Sequence, residues 1–162
     1  MLVGDIAHEV DLQAFTVQLD GLTGAAVVQS ANRQPVAAIL RLAGPRGDQA
    51  TVTGAAAPRT AWLVLPALTP KGGRSFLVLQ NPGRSGARLN VQVLGQDGVV
   101  AAPRLSAIVV PPGRTISLVL PGGLVARPVT LVVRAQTGTV VAGTASYPAN
   151  GAGYAGMLAL PM

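Results

Sequence analysis

The chain has no cysteine in 162 residues. Disulfide bridges and thiolate metal sites are therefore excluded, although export is not, because many exported bacterial domains also lack the residue. Histidine occurs once, as His8, lysine once, as Lys71, and acids only six times. Aromatic residues make up 3% of the chain. No apolar run approaches the ~18 residues of a membrane-spanning helix. No signal peptide is expected in residues 1–10, because Asp5 and Glu9 stand where its apolar stretch should be.

These shortages weigh against catalysis. His8 lies near Asp5, Glu9 and Asp11, but a metal site needs three or four convergent ligands, and a solvated N-terminus is the ordinary reading. A nucleophilic triad would depend on the same imidazole, and no serine sits in a Gly-x-Ser-x-Gly elbow. Paired carboxylates for glycoside hydrolysis would have to come from six acids, four of which precede Gly21. Asp48 and Asp97 sit in glycine turns, where an Asx turn is their usual role. Gly72-Gly73 and Gly122-Gly123 are expected to precede strands rather than helices, so neither reads as a phosphate loop. Arg46-Gly47-Asp48 spells an integrin-binding tripeptide, which a loop between strands produces by chance. The chain is expected not to be an enzyme, with no catalytic, cofactor-binding or metal-ligating residues and no cofactor.

What the sequence does contain is short apolar runs divided by turns. Hydrophobic residues make up 49% of it, with 20 glycines and 13 prolines between the runs. Strands are expected at residues 14–19, 25–31, 36–42, 49–53, 61–65, 75–80, 87–94, 99–102, 106–110, 115–120, 129–135, 139–146 and 154–160. No window of helical length keeps a 3.6-residue period, so the class is all-β, a sandwich or barrel. Residues 75–98 read as the organising hairpin. Its turn Asn81-Pro82-Gly83 suits type II, in which the second central residue takes positive φ. The expected core is Val17, Leu19, Val27, Ile39, Leu63, Phe76, Val78, Leu89, Val91, Val93, Ile108, Ile116, Leu118, Val132 and Val140.

Three blocks recur in the same order. Residues 16–22 resemble 116–124, residues 26–38 align with 130–142 at a constant offset of 104, and 62–66 match 157–161. They indicate a repeat of about a hundred residues, the size of an immunoglobulin-like domain. Residues 58–162 are then expected to form one immunoglobulin-like β-sandwich, and residues 1–57 an incomplete second β unit. The partner strands of that half-unit are missing, so a homodimer through an exposed strand edge is expected, or a unit cut from a longer protein.

Leu77-Val78-Leu79-Gln80-Asn81-Pro82-Gly83, Gly95-Gln96-Asp97-Gly98, Val109-Val110-Pro111-Pro112-Gly113 and Val140-Val141-Ala142 together resemble an uncharacterised family of exported or membrane-anchored actinobacterial proteins. The resemblance covers residues 61–162, with a weaker echo at 16–42. It implies a non-catalytic module of the cell envelope, extracellular or within a longer exported protein. No site residue carries over from it.

Charge is the remaining signal. All twelve basic residues follow Gly21, against two acids, which gives that region a net of +10. Arginine outnumbers lysine eleven to one, which GC-rich coding explains as readily as function does. Up-and-down strands would bring Arg84, Arg88 and Arg127 to one end and Lys71, Arg74, Arg114 and Arg134 to the other. The first three are the candidate contacts for an anionic envelope polymer. Nucleic acid is not an expected partner, because stacking aromatics are too few. The readings left open are a structural or interaction module, a docking domain for an envelope-assembly enzyme, and a carbohydrate-active enzyme, which the acid count disfavours. An all-β chain predicts a far-UV circular dichroism spectrum with little helical signal, and more than a minor helical band would contradict the class.

Overall fold

In residues 87–95 every second side chain through Val93 is apolar. Ala87, Leu89, Val91 and Val93 are buried, while Arg88, Asn90 and Gln92 face water. That alternation defines one strand of the chain's larger sheet. A computed structural model describes residues 27–28, 37–43, 49–66, 72–147 and 155–162. Their strands are β1 (Ile39–Ala43), β2 (Gln49–Thr53), β3 (Ala61–Val64), β4 (Arg74–Gln80), β5 (Ala87–Gly95), β6 (Gly98–Val100), β7 (Ile108–Val110), β8 (Thr115–Leu120), β9 (Thr130–Thr137), β10 (Val141–Tyr147), β11 (Ala155–Leu158) and β12 (Leu160–Pro161). A 3₁₀ turn, Pro103–Leu105, and a single helical turn, α1 (Gly122–Val125), complete them.

The fold is an all-β sandwich. One sheet has the order β11-β10-β4-β8, and the other β12-β3-β9-β5-β6 with β7 also paired to β5. Every pairing is antiparallel. β1 and β2 form a separate hairpin, extended by a bond from the Gly54 N–H to the Ala38 carbonyl at 2.8 Å. β2 lies alongside β11. The strand order differs from the constant-type immunoglobulin arrangement, in which the first two strands share a sheet, as do the last two. Here β3 and β4 lie in opposite sheets, and so do β9 and β10.

The pairing corrects the expected organising hairpin. β4 and β5 belong to different sheets, so Asn81-Pro82-Gly83 is a corner between layers rather than a hairpin turn. Gly83 does not take positive φ. The type II geometry occurs instead at Pro111-Pro112-Gly113-Arg114, where Gly113 has φ +65° and the Arg114 N–H donates to the Pro111 carbonyl at 3.3 Å. Gly122-Gly123 begins α1 rather than preceding a strand. Val27 and Val28 are not in a strand, and the rest of 25–31 lies outside the described residues, as do 14–19, Val17 and Leu19.

The core lies between the sheets, with Leu77, Leu79 and Leu120 facing Trp62, Val64, Leu89, Val93, Leu131 and Val133. Leu89, Val91, Val93, Ile108 and Val140 are buried in the core as expected, whereas Val132, although buried, lies on the outer face of the larger sheet opposite Leu63 and Gln92. Leu63, Phe76 and Val78 are only half-buried, and the buried apolar residues of their strands are Trp62, Val64, Leu77 and Leu79. Both alternating sets in β3 and β4 are apolar, so periodicity alone does not choose the inward face. Polar pairing marks it: Ser75 and Ser146 point inward and share a buried hydroxyl–hydroxyl bond of 2.8 Å. Ile116 and Leu118 are half-buried against the core, Val27 is half-buried, and Ile39 is 66% exposed.

Trp62 ties the two layers together. It is buried, and its Nε1–H donates to the Val140 carbonyl at 2.7 Å. That same oxygen accepts the Arg59 N–H at 2.8 Å. β7 begins later than the run 106–110 suggested, because Ala107 adopts φ +52° and donates its N–H to the Asn90 side-chain oxygen at 3.1 Å. A Cβ in that conformation costs on the order of 1–2 kcal/mol, part of which glycine's greater unfolded freedom offsets. Ala107→Gly is therefore expected to stabilise the fold by about 0.5 kcal/mol, read as a rise in the urea unfolding midpoint with an unchanged slope.

Candidate functional site

A heavily bonded polar group lies at one end of the sandwich. Asn81 follows β4 directly and is 1% exposed. Burial deprives its amide of water, so each polar atom needs a protein partner. Its Nδ2 donates to the carbonyls of Ser85 at 2.7 Å and Val110 at 3.0 Å, and its Oδ1 accepts the Gly83 N–H at 2.9 Å. The last bond closes an Asx turn. The Asn81 backbone N–H donates to the Arg114 carbonyl at 3.0 Å, and the Gly113 N–H to the Gly83 carbonyl at 3.2 Å. Through its side chain and its backbone, Asn81 thus joins the end of β4, the approach to β5, the end of β7 and the approach to β8. Gly83 fits because a Cβ there would stand 3.0 Å from Asn81 Oδ1.

Arginines surround this corner. Arg84 follows Gly83, and Arg114 precedes β8. Arg88 is on the outward face of β5, paired with Val109 on one side and Thr137 on the other. Arg59 bridges to Val140 beside the start of β10. All four are exposed. The sequence placed Arg84, Arg88 and Arg127 together, and the structure separates them. β8 runs from the corner to the opposite end, where Leu120 pairs with Ser75, and α1 delivers exposed Arg127 there. Arg114, expected at the far end, joins Arg84 and Arg88 instead. Arg74 starts β4 at the far end, while Arg134 lies midway along β9, opposite Asn90. Among the described residues the one acid is Asp97, in the β5–β6 connection, also at the far end.

Two concavities among the described residues bear on function. A shallow one on the outer face of the larger sheet holds Asn90, Gln92, Val132 and Arg134, with Val100 and Ser106 as its opposite wall. The second, at the far end, lies between the β5–β6 connection and the α1 loop and includes Asp97, Arg104, Val119, Leu124 and Arg127. The first is lined by no acid or histidine, and in the second the charged lining is Asp97 with the two arginines Arg104 and Arg127. Among the described residues no three His, Cys, Asp or Glu side chains gather. His8, Asp5, Glu9, Asp11 and the Arg46-Gly47-Asp48 tripeptide lie outside the described residues. Among the described residues no helix is long and apolar enough to cross a membrane. Sequence reasoning missed Asn81 as the anchor of the basic end. Asn-Pro-Gly offers a first residue whose amide can both donate to and accept from backbone, but the motif does not show that its corner is buried.

Comparison with known proteins adds a family and a fold. A family model described as Family of unknown function (DUF5719) matches residues 43–156. No curated protein matches. The crystal structure of Thermotoga maritima 1070 superposes with a TM-score of 0.53 at 15% identity, covering 65% of this chain and 96% of that one. At that identity the likeness concerns the fold alone. The Anabaena sensory rhodopsin transducer superposes with a TM-score of 0.41 at 16% identity, covering 55% of this chain and 99% of that one, too loosely to carry an argument.

Removing the Asn81 side chain should destabilise the basic end and the sandwich together. Asn81→Ala strands the Ser85 and Val110 carbonyls and the Gly83 N–H, and is expected to cost about 3 kcal/mol of unfolding free energy. Gly83→Ala should also destabilise, through its contact with Asn81 Oδ1, but much less in the Asn81→Ala background. A double-mutant cycle measured by urea unfolding checks that coupling.

Proposed function

We propose that this chain, which belongs to the family of unknown function DUF5719, is a non-catalytic interaction module of an exported cell-envelope protein. Its role is to hold an anionic partner against a rigid sandwich end. The observation that carries this reading is the set of four exposed arginines, Arg59, Arg84, Arg88 and Arg114, around the Asn81 corner, with no acid among the described residues at that end. Arginine pairs bidentately with carboxylate and phosphate, so uronic, teichoic or phospholipid headgroup surfaces fit it. The guanidinium groups stand on backbone held by the bonds of Asn81 and by strand pairing, although their own side chains reach into water. Attraction is therefore diffuse, a field rather than a fitted pocket.

Such attraction is governed by salt. The screening length shrinks from about 30 Å at 0.01 M salt to about 8 Å at physiological strength, so binding should fade across that range. The expected result is measurable cosedimentation of the chain with an anionic polysaccharide at low salt and little at physiological salt. R84A/R88A/R114A should remove most of the low-salt binding, whereas R127A, at the opposite end, should leave most of it. Equal losses from the two variants would refute the role given to this end. Binding that survives physiological salt and is lost with a single arginine would replace the diffuse reading with a defined site.

A further inference from the structure

The sheet edges of the sandwich are unequal. In the larger sheet, β12 has two residues, one of them Pro161, and β6 and β7 have three each. Short strands and proline are two of the devices that keep an edge from recruiting another strand. In the smaller sheet, β11 has four residues and β2 lies alongside it. The opposite edge is β8, six residues reading Thr-Ile-Ser-Leu-Val-Leu. It contains no charge, proline or glycine, and its register with β4 runs unbroken from Thr115 to Leu120. Among the described residues its strand neighbour is β4 alone. Its outward residues Ser117 and Val119 are exposed, Val119 at 61%.

We propose that β8 is a dimerisation edge, pairing antiparallel with β8 of a second copy of this chain about a two-fold axis through Leu118. The choice of a second copy rests on self-complementarity. Opposed residues in a continuous sheet share a face, so in a self-paired antiparallel strand the two position numbers must sum to an even number. Centring on Leu118 sets Leu118 against itself and Ile116 against Leu120 on the core side. On the outer side Ser117 meets Val119. No charge meets a like charge along the strand. Arg114 lies beside Gly122 of the other copy, where even an added Cβ would have open space. Centring on Ser117 would instead place Arg114 against Leu120, which is buried. The two smaller sheets join into one of eight strands, β11-β10-β4-β8 continuing through the partner's β8 to its β11. A closed two-fold contact of this kind consumes the edge in both copies and leaves no propagating end.

The register supplies the test. Sedimentation velocity of the full chain over a dilution series should show a species of twice the 16.3 kDa chain mass that dissociates on dilution. In S117K/V119K the Ser117–Val119 pairs become lysine facing lysine, which should weaken association at least about tenfold. In S117E/V119K the same positions become glutamate facing lysine, and dimerisation should return to near the wild-type level. Both positions are exposed in the single chain, so the two variants should share the wild-type circular dichroism spectrum and, at dilutions where the wild-type chain is monomeric, its unfolding midpoint. The proposal is overturned if the wild-type chain stays monomeric throughout, or if the two variants associate equally well or equally poorly.

Discussion

A polar side chain sealed from water has to find partners inside the protein, and Asn81, side chain and backbone together, is bonded to three other segments. Its amide reaches the approach to β5, the end of β7 and its own turn, while its backbone holds the approach to β8. An unpaired carbonyl at such a site would cost about as much as a lost core methylene or more. The corner therefore has one arrangement, and it fixes how the strands leaving it enter the two sheets. Trp62 does the corresponding work nearby, joining β3 to the carbonyl that precedes β10. Between these two polar fastenings the core needs little more than aliphatic residues, which suits a chain with so few aromatics.

The same corner gives the basic end its form. Arginine side chains are long and mobile, so their positions are only as well defined as the backbone that carries them. Around Asn81 that backbone is bonded into both layers. At the opposite end Arg104 and Arg127 are on a 3₁₀ turn and a loop, with Asp97 nearby to reduce their field. The two ends thus differ in mounting as well as in charge. An anionic partner would meet a firm basic face at one end and a softer, mixed one at the other.

Much of this architecture was legible in the sequence where turn chemistry brackets a run. β2 and β8 occupy the expected residues 49–53 and 115–120, the second between Gly113-Arg114 and Pro121. What failed was face and direction. In β4 the pairs Phe76/Val78 and Leu77/Leu79 are equally apolar, and Ser75, which marks the inward side, reads as a surface residue. Arg127 went to the wrong end because Pro121-Gly122-Gly123 and α1 follow a strand whose direction depends on pairing with β4, a fact of tertiary structure. Asn81 read as turn punctuation, since nothing local reveals that its corner is buried. Positive φ at Ala107 has no sequence signal.

The order of the strands has a consequence for synthesis. β9 separates β3 from β5 in the larger sheet, and β10 separates β11 from β4 in the smaller one. Both lie late in the chain, and their pairings join residues as distant as Arg74 with Tyr147 and Ala61 with Arg134. A nascent chain that has reached Pro128 holds most of its strands but lacks the two central ones. Its larger sheet is in two pieces, with apolar edges waiting for β9. Closing such long loops is slow, and unpaired edges are exposed in the meantime. The sandwich therefore forms once the ribosome has delivered nearly the whole chain, and chaperone cover during translation matters more to it than to a protein built from neighbouring hairpins.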